Sequence, residues 1–193
     1  MGATDGSLPR TMKIALPSHR GTLVAVAGAT SPAKTEIVDA LAKHLGPNTL
    51  TIGTRSHPDP ESSVDALAKV DGRAAEDAIT IVRMAESAAV RASNLVITAR
   101  PVIDELARYR AARKIRHEYV QHHVMRRVED TVAWEAADYD FVVWSRSPFP
   151  PPGVRAFEAA LSEVLKDLCV PYHSLCPPLI NETVERLVAS IPR

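Results

Sequence analysis

The chain has 193 residues, 23 basic and 23 acidic side chains, a formal net charge of zero and 46% hydrophobic residues. That is the size of one α/β domain, which buries roughly 70% of its unfolded surface on folding. The composition argues against a mainly disordered chain and a wholly basic nucleic-acid binder. With 5% aromatic residues, a stacking platform for single strands is disfavoured too. No apolar run is long enough to span a bilayer, so no membrane partner is expected.

Residues 1–20 contain Pro, Gly, Arg and Lys but no apolar stretch of the kind a signal peptide needs. They read as a flexible lead-in to a domain over 21–193. The two cysteines, Cys169 and Cys176, have no second pair with which to build a zinc site. They read as free, buried or half-buried thiols of a cytoplasmic protein.

Leu23–Ala27 is a continuous apolar run that stops at Gly28, the mark of a buried parallel strand entering a turn. From Lys34 the apolar spacing becomes helical, with Ile37, Val38, Leu41, Ala42 and Leu45 on one face and Gly46-Pro47 as the stop. Thr49–Thr54 alternates as a second strand, and His57–Ser63 is a polar loop. Arg73–Ala92 predicts a long helix with Ile79, Val82, Met84 and Ala85 inward. Asn94–Thr98 is a third strand. Pro101 opens another helix, as Pro does in a first turn. Glu118–Ala137 predicts a further helix and Phe141–Trp144 a fourth strand. A proline-rich loop over Ser147–Gly153 leads to a helix over Arg155–Cys169. Pro171–Leu175 is a last short strand and Glu182–Ser190 a closing helix. Strands alternating with helices predict a parallel sheet with helices on both faces. Ligands in such sheets bind beyond the carboxyl ends of the strands, here after Gly28, Ala99 and Ser145.

Gly28-Ala29-Thr30-Ser31-Pro32-Ala33-Lys34-Thr35 lies between a predicted strand and a predicted helix. It follows the phosphate-loop pattern G-x-x-x-x-G-K-[ST], with Ala33 in place of the second glycine. In that pattern backbone N–H groups and the helix N-terminus hold the phosphates. Gly28, Ser31, Ala33, Lys34 and Thr35 are therefore the candidate nucleotide-binding residues. Lys34 would contact the outer phosphates, and the Thr35 hydroxyl would be the magnesium ligand. If position 33 required a left-handed backbone, alanine would cost roughly 1–2 kcal/mol there. Arg100, at the end of the third strand, suits a phosphate or transition-state charge. Asp104, one helical turn on, is either a catalytic carboxylate or a solvated helix residue.

Together these stretches resemble the small P-loop kinases of the nicotinamide riboside kinase and thymidylate-kinase-like group, which includes phage kinases of modified bases in DNA. The resemblance rests on the Gly28–Thr35 loop, on Leu95–Tyr109 (Ala-Arg-Pro-Val-Ile-Asp-Glu-Leu-Ala-Arg-Tyr after the strand), and on Tyr139–Phe157. The last contains a proline-rich segment ending in Gly153-Val154-Arg155. It implies a three-layer P-loop NTPase fold and ATP-dependent, magnesium-assisted phosphoryl transfer to a nucleoside, a nucleotide or a base within DNA. It also implies Lys34 and Thr35 as phosphate and metal ligands, Arg100 and Arg155 as phosphate-side arginines, and pairing into a homodimer. The sequence departs from the group at Ala33 and at Ala99, where a buried strand commonly ends in Asp. Glu36 or Asp140 could compensate.

Two other readings stay open. A loop that no longer turns over ATP would make the fold a scaffold or regulatory binding module. A basic run (Arg108, Arg110, Arg113, Lys114, Arg116, His117, His122, His123, Arg126, Arg127) would make it a nucleic-acid binder. The balancing acids crowd Asp59, Glu61, Asp65, Asp71, Glu76 and Asp77. Trp134 and Trp144 read as core or interface residues, Asp130 and Glu135 as unpaired, and His173–Cys176 as a surface loop.

Overall fold

The computed structural model describes residues 21–53, 60–118, 122–175, 184, 185 and 187–189, without the side chains of 60 and 122–124. The sheet has five strands: β1 Thr22–Ala27, β2 Thr49–Ile52, β3 Leu95–Thr98, β4 Phe141–Ser145 and β5 His173–Leu175. Their order is β2-β3-β1-β4-β5, and every pairing is parallel. The apolar run of β1 lies at the centre, as a strand buried on both faces must.

Alternation along β1 sorts the core into two layers. Ala25 and Ala27 face Ile103, Leu106, Ala107, Phe157 and Leu161. Val24 and Val26 face Ile37, Val38, Leu41 and Leu187 on the other side. The second layer belongs to α1 (Pro32–Leu45) and to the helical residues of the 184–189 stretch, which lie within the predicted closing helix. The first belongs to α2 (Val64–Leu67), α3 (Gly72–Ala92), α4 (Val102–Arg116), α5 (His122–Ala136) and α6 (Pro152–Asp167). The result is the expected three-layer α/β arrangement.

Several local expectations change. Within the predicted 57–63 loop a 3-10 turn forms over Pro60–Ser62, and Ser63 then caps α2 by accepting the Ala66 N–H. On α3 the buried positions are Ala75, Ile79, Glu86 and Ala89. Val82 is partly buried, Ala85 is exposed and Met84 is 67% exposed. Met84 falls about 200° around the helix from Val82, which takes it off the inward face. Pro101 is the N-cap of α4 rather than a first-turn residue. Pro152 starts α6 three residues before Arg155. Cys169 is exposed, at positive φ just past that helix; Cys176 lies outside the described residues. Trp144 is buried, whereas Trp134 is 75% exposed and not in the core. His173 and Ser174 belong to β5. Among the described residues, no helix is long and apolar enough to cross a membrane.

One close approach fixes how the 3-10 turn sits on α6. A Cβ on Gly153 would lie 2.6 Å from the Glu61 carbonyl oxygen and 2.8 Å from the Ser63 carbonyl carbon. Gly153→Ala should therefore destabilise the fold by on the order of 2 kcal/mol, a fall in Tm of roughly 4–8 °C. Calorimetry checks this; an unchanged Tm would contradict the packing.

Candidate phosphate-binding site

The turn after β1 begins with a glycine that no other residue can replace cheaply. Gly28 has φ +130°, and a Cβ there would lie 2.4 Å from the Ser145 carbonyl oxygen at the end of β4. Ser31 then caps α1, accepting the Lys34 backbone N–H at 3.1 Å. Pro32 follows in the first turn, where its missing N–H costs nothing because the first helical N–H groups have no partner within the helix. Ala33 is helical and is not among the residues with positive φ. The strain weighed for alanine at this position does not arise.

The loop closes on a buried carboxylate. Lys34 Nζ donates to the Gly28 carbonyl oxygen at 2.7 Å and to Asp104 Oδ2 at 2.9 Å. Asp104 Oδ1 accepts the Gly28 N–H at 3.0 Å. The two side chains are 4% and 0% exposed, so Asp104 is not a solvated helix residue. Burial pushes the Lys34 ammonium pKa down and the Asp104 carboxyl pKa up, and each partner's charge opposes that push.

A second buried pair abuts the first. Arg108, one turn beyond Asp104 on α4, donates Nε to Glu61 Oε2 at 2.8 Å and Nη2 to Glu61 Oε1 at 2.9 Å. It also donates Nη1 to Glu105 at 2.7 Å. Glu61 Oε1 accepts the Thr30 N–H of the loop at 3.3 Å. Burial alone would raise the Glu61 pKa, but the bonds and charge of Arg108 outweigh it and hold the carboxyl at about 2. The arginine is fixed in its charged form, raised above its ordinary value by Glu105 and Glu61. Arg100 reaches Glu105 at 3.4 Å.

The candidate residues are thus brought together unequally. Gly28, Ser31, Ala33, Lys34, Thr35 and Asp104 share one small region. Thr30, Lys34, Thr35, Val38, Gly53 and Ala99 line a cavity of about 30 Å³ beside it. The Thr35 hydroxyl donates to the Ser31 carbonyl oxygen at 3.3 Å. Arg100 lies beside Gly53 and joins the site through Glu105. Arg155 is exposed on the first turn of α6, with a bond at 3.4 Å to the Pro150 carbonyl oxygen. Neither compensating acid is in place. Glu36 is exposed, and Asp140 accepts the Leu23 N–H at the far end of the sheet.

The donor set fits a phosphate and its magnesium. Lys34 supplies a cation, and the α1 N-terminus supplies the Ala33 N–H, which has no partner within the helix. Thr35 and Asp104 supply the hard oxygen atoms magnesium takes.

Among the described residues, much of the basic run is paired rather than free. Arg108 is buried, Arg110 binds Glu129 and Asp167, Lys114 binds Glu163, and Arg127 binds Glu76. Arg116 binds Glu118 and the carbonyls of Ala68 and Val70. Much of the basic stretch is therefore neutralised, in part by the acidic stretch it was contrasted with. Glu135 is not unpaired either; it binds Arg83 at 2.8 Å. His122 and His123 have no described side chains. Among the described residues, no group of His, Cys, Asp and Glu is arranged to hold a metal on its own.

No protein-family model matches the chain, and no curated protein matches it in sequence. Solved structures do match. A NadR protein in complex with NR aligns with TM-score 0.61 and 14% identity over 91% of this chain and 52% of its own. A NadR protein with NAD and AMP-PNP aligns with TM-score 0.64 and 15% identity over 90% and 50%. Deoxyadenosine kinase from M. mycoides with bound dCTP aligns with TM-score 0.59 and 13% identity over 88% and 100%. The fold is that of the small P-loop kinases. This chain spans about half the length of the NadR chains. The Gly28–Thr35 segment stands between β1 and α1, the strand–turn–helix context that the phosphate-loop pattern requires.

Glu61, Glu105 and Arg108 were not among the site candidates. Their signal was present: three charges interrupt the apolar positions of α4 and the turn before α2. Replacing Arg108 with Ala leaves Glu61 buried without a cation and Glu105 with Arg100 alone. Arg108→Ala should cost about 3–5 kcal/mol, read as a lower urea midpoint, and Glu61→Gln in the same chain should restore part of it.

A fourth buried acid, Glu86, lies behind the site. Tyr139 accepts the Val102 N–H at 2.9 Å and donates to Glu86 at 3.1 Å, so one hydroxyl ties α3 to the start of α4. Burial raises the Glu86 pKa to about 8. Folding then holds a proton that the unfolded chain releases near pH 4.5. The contribution is full below that pH and is lost as pH rises through about 8. Wild type should accordingly lose stability relative to Glu86→Gln between pH 5 and 8.5. A difference that stays constant across that range in denaturant titrations would refute the buried proton.

Proposed function

We propose that the chain binds ATP with magnesium at Gly28–Thr35 and transfers the γ-phosphoryl group to a nucleoside, a nucleotide or a base within DNA. The observation that carries this reading is Lys34: a buried lysine at the mouth of a glycine turn, folded back over the N-terminus of a 14-residue helix. The fold shared with NadR proteins and with deoxyadenosine kinase supports it.

In this reading Lys34 and the N–H groups of the α1 N-terminus hold the phosphates, while Ser31 keeps that terminus in place. Thr35 and Asp104 would hold magnesium, which neutralises charge on the transferring group when bound. Arg100 and Arg155 would meet phosphate oxygens from the ends of β3 and α6. Phosphoryl transfer depends mainly on positioning and charge, so a site with Ala99 at the strand end retains the parts it needs. A homodimer and a cytoplasmic location belong to the same proposal.

The cavity beside Lys34 favours a second reading. At about 30 Å³ it admits a water rather than a nucleotide. A loop that stays closed would make the chain a binding module. Product formation from labelled ATP against nucleosides, nucleotides and modified DNA separates the two. Lys34→Ala should weaken ATP binding by about 10- to 100-fold, the worth of a charge-assisted bond. Unchanged affinity by calorimetry would sink the phosphate-loop assignment.

A further inference from the structure

Glu86 sits deep in α3, 5% exposed, where three other elements meet. Tyr139, just before β4, donates its hydroxyl to Glu86, whose two carboxyl oxygens lie at 3.1 and 3.2 Å. Thr98, the last residue of β3, also hydrogen-bonds the carboxyl. These two contacts bracket the Ala99–Pro101 turn. Thr98 precedes it, and the Val102 N–H that follows it is held by Tyr139 at 2.9 Å. Pro101, the N-cap of α4, gives no side-chain hydrogen bond, so Tyr139 caps this helix from a distant part of the chain. Ala99 and Arg100 reach the loop site from the bracketed turn, and Asp104 lies on the first turn that Tyr139 holds.

Among the described residues, no cation pairs with Glu86. Glu135 and Asp104 set negative charge toward it from α5 and α4, and Arg83 is taken by Glu135 at 2.8 Å. Burial, with those two charges, outweighs the bonds from Thr98 and Tyr139 and favours the neutral acid. A cavity of about 170 Å³ adjoins the carboxyl, with Ser87, Arg91, Glu135 and Asp138 in its wall. Ser87 and Arg91 are exposed, so this is the side on which an ionised carboxylate finds water and a cation.

We propose that Glu86 is a proton-operated latch on the start of α4: neutral, it holds Tyr139 on the Val102 N–H, and ionised, it swings into the cavity and lets that cap go. Release loosens the Ala99–Pro101 turn and the first turn of α4, so alkaline conditions weaken ligand binding at Gly28–Thr35. The effect on binding rests on the loop being the nucleotide site; the latch itself does not.

Amide exchange of the full chain at pH 6.5 and pH 9, corrected for the intrinsic effect of pH on exchange, tests the latch. The carboxyl titrates at about 8, so it is neutral at the first pH and ionised at the second. Protection of the Val102 amide should fall about tenfold in wild type, one decade for the one unit above the pKa, while the amides of β1 keep theirs. Glu86→Gln should show no such fall, and Tyr139→Phe should show the low value at both pH values. Equal falls in wild type and Glu86→Gln, or a fall shared by β1, would overturn the proposal. Should Glu86→Gln fail to fold, a wild type that exceeds Tyr139→Phe at pH 6.5 and meets it at pH 9 supports the latch. Wild-type protection that does not change with pH overturns it whatever the variants do. Calorimetry with magnesium ATP at the same two pH values reads the consequence: wild-type affinity should fall about tenfold by the same linkage and that of Glu86→Gln should hold. An unchanged wild type, or an equal fall in both, overturns the effect on the site. If no ATP binds at either pH, the nucleotide reading falls, and amide exchange still decides the latch.

Discussion

A charge may be buried in a protein only if another charge, and enough hydrogen bonds, are buried with it. That constraint organises this chain around α4. The helix is packed on nearly every side, yet it carries Asp104, Glu105 and Arg108 in its first two turns. Each must find its complement on another element. Asp104 finds Lys34 and the Gly28 N–H on the β1–α1 turn, and Arg108 finds Glu61 on the turn before α2. The position of the β1–α1 loop relative to α4, and of the 3-10 turn over Pro60–Ser62 relative to both, follows from these pairings. Removing either partner leaves a charge in an apolar layer.

The sheet supplies the frame in which this can happen. Small residues at Ala25 and Ala27 present a flat face to α4 and α6, and the end of β4 comes so close to Gly28 that no side chain fits between them. The loop is set by backbone contact on one side and by ion pairs on the other. Little in it depends on the missing second glycine. Alanine at 33 is tolerated because the helix has already begun there.

How much of this was readable in the sequence varies with the physics involved. The parallel sheet was legible because β1, β3 and β4 are continuous apolar runs, and period and length separate such runs from helices. The strand–turn–helix placement of Gly28, Lys34 and Thr35 was legible because the pattern they match has a fixed spacing. The charged positions were not. Arg108 sits in a basic run, and composition reads such a run as a surface; only the fold shows that Glu61, 47 residues earlier, meets it. Met84 was misplaced because on a long helix an error of two residues in phase turns a core position outward. Glu86 is the converse, a buried carboxyl that polarity places outside. In each case the missing information was which distant residue stands opposite.

The opposition of the two charged stretches has a further consequence, for how the sequence can change. Glu61 with Arg108, Glu76 with Arg127, and Arg116 with the carbonyls of Ala68 and Val70 join segments about fifty positions apart. Groups that share a partner do not contribute independently. A substitution in the 61–77 stretch therefore changes what is tolerated in the 108–127 stretch. The inner pairs bind this way most tightly, because their alternatives are dry. Drift at these positions must proceed through compensating pairs, so a neutral total charge is the trace of many local matches.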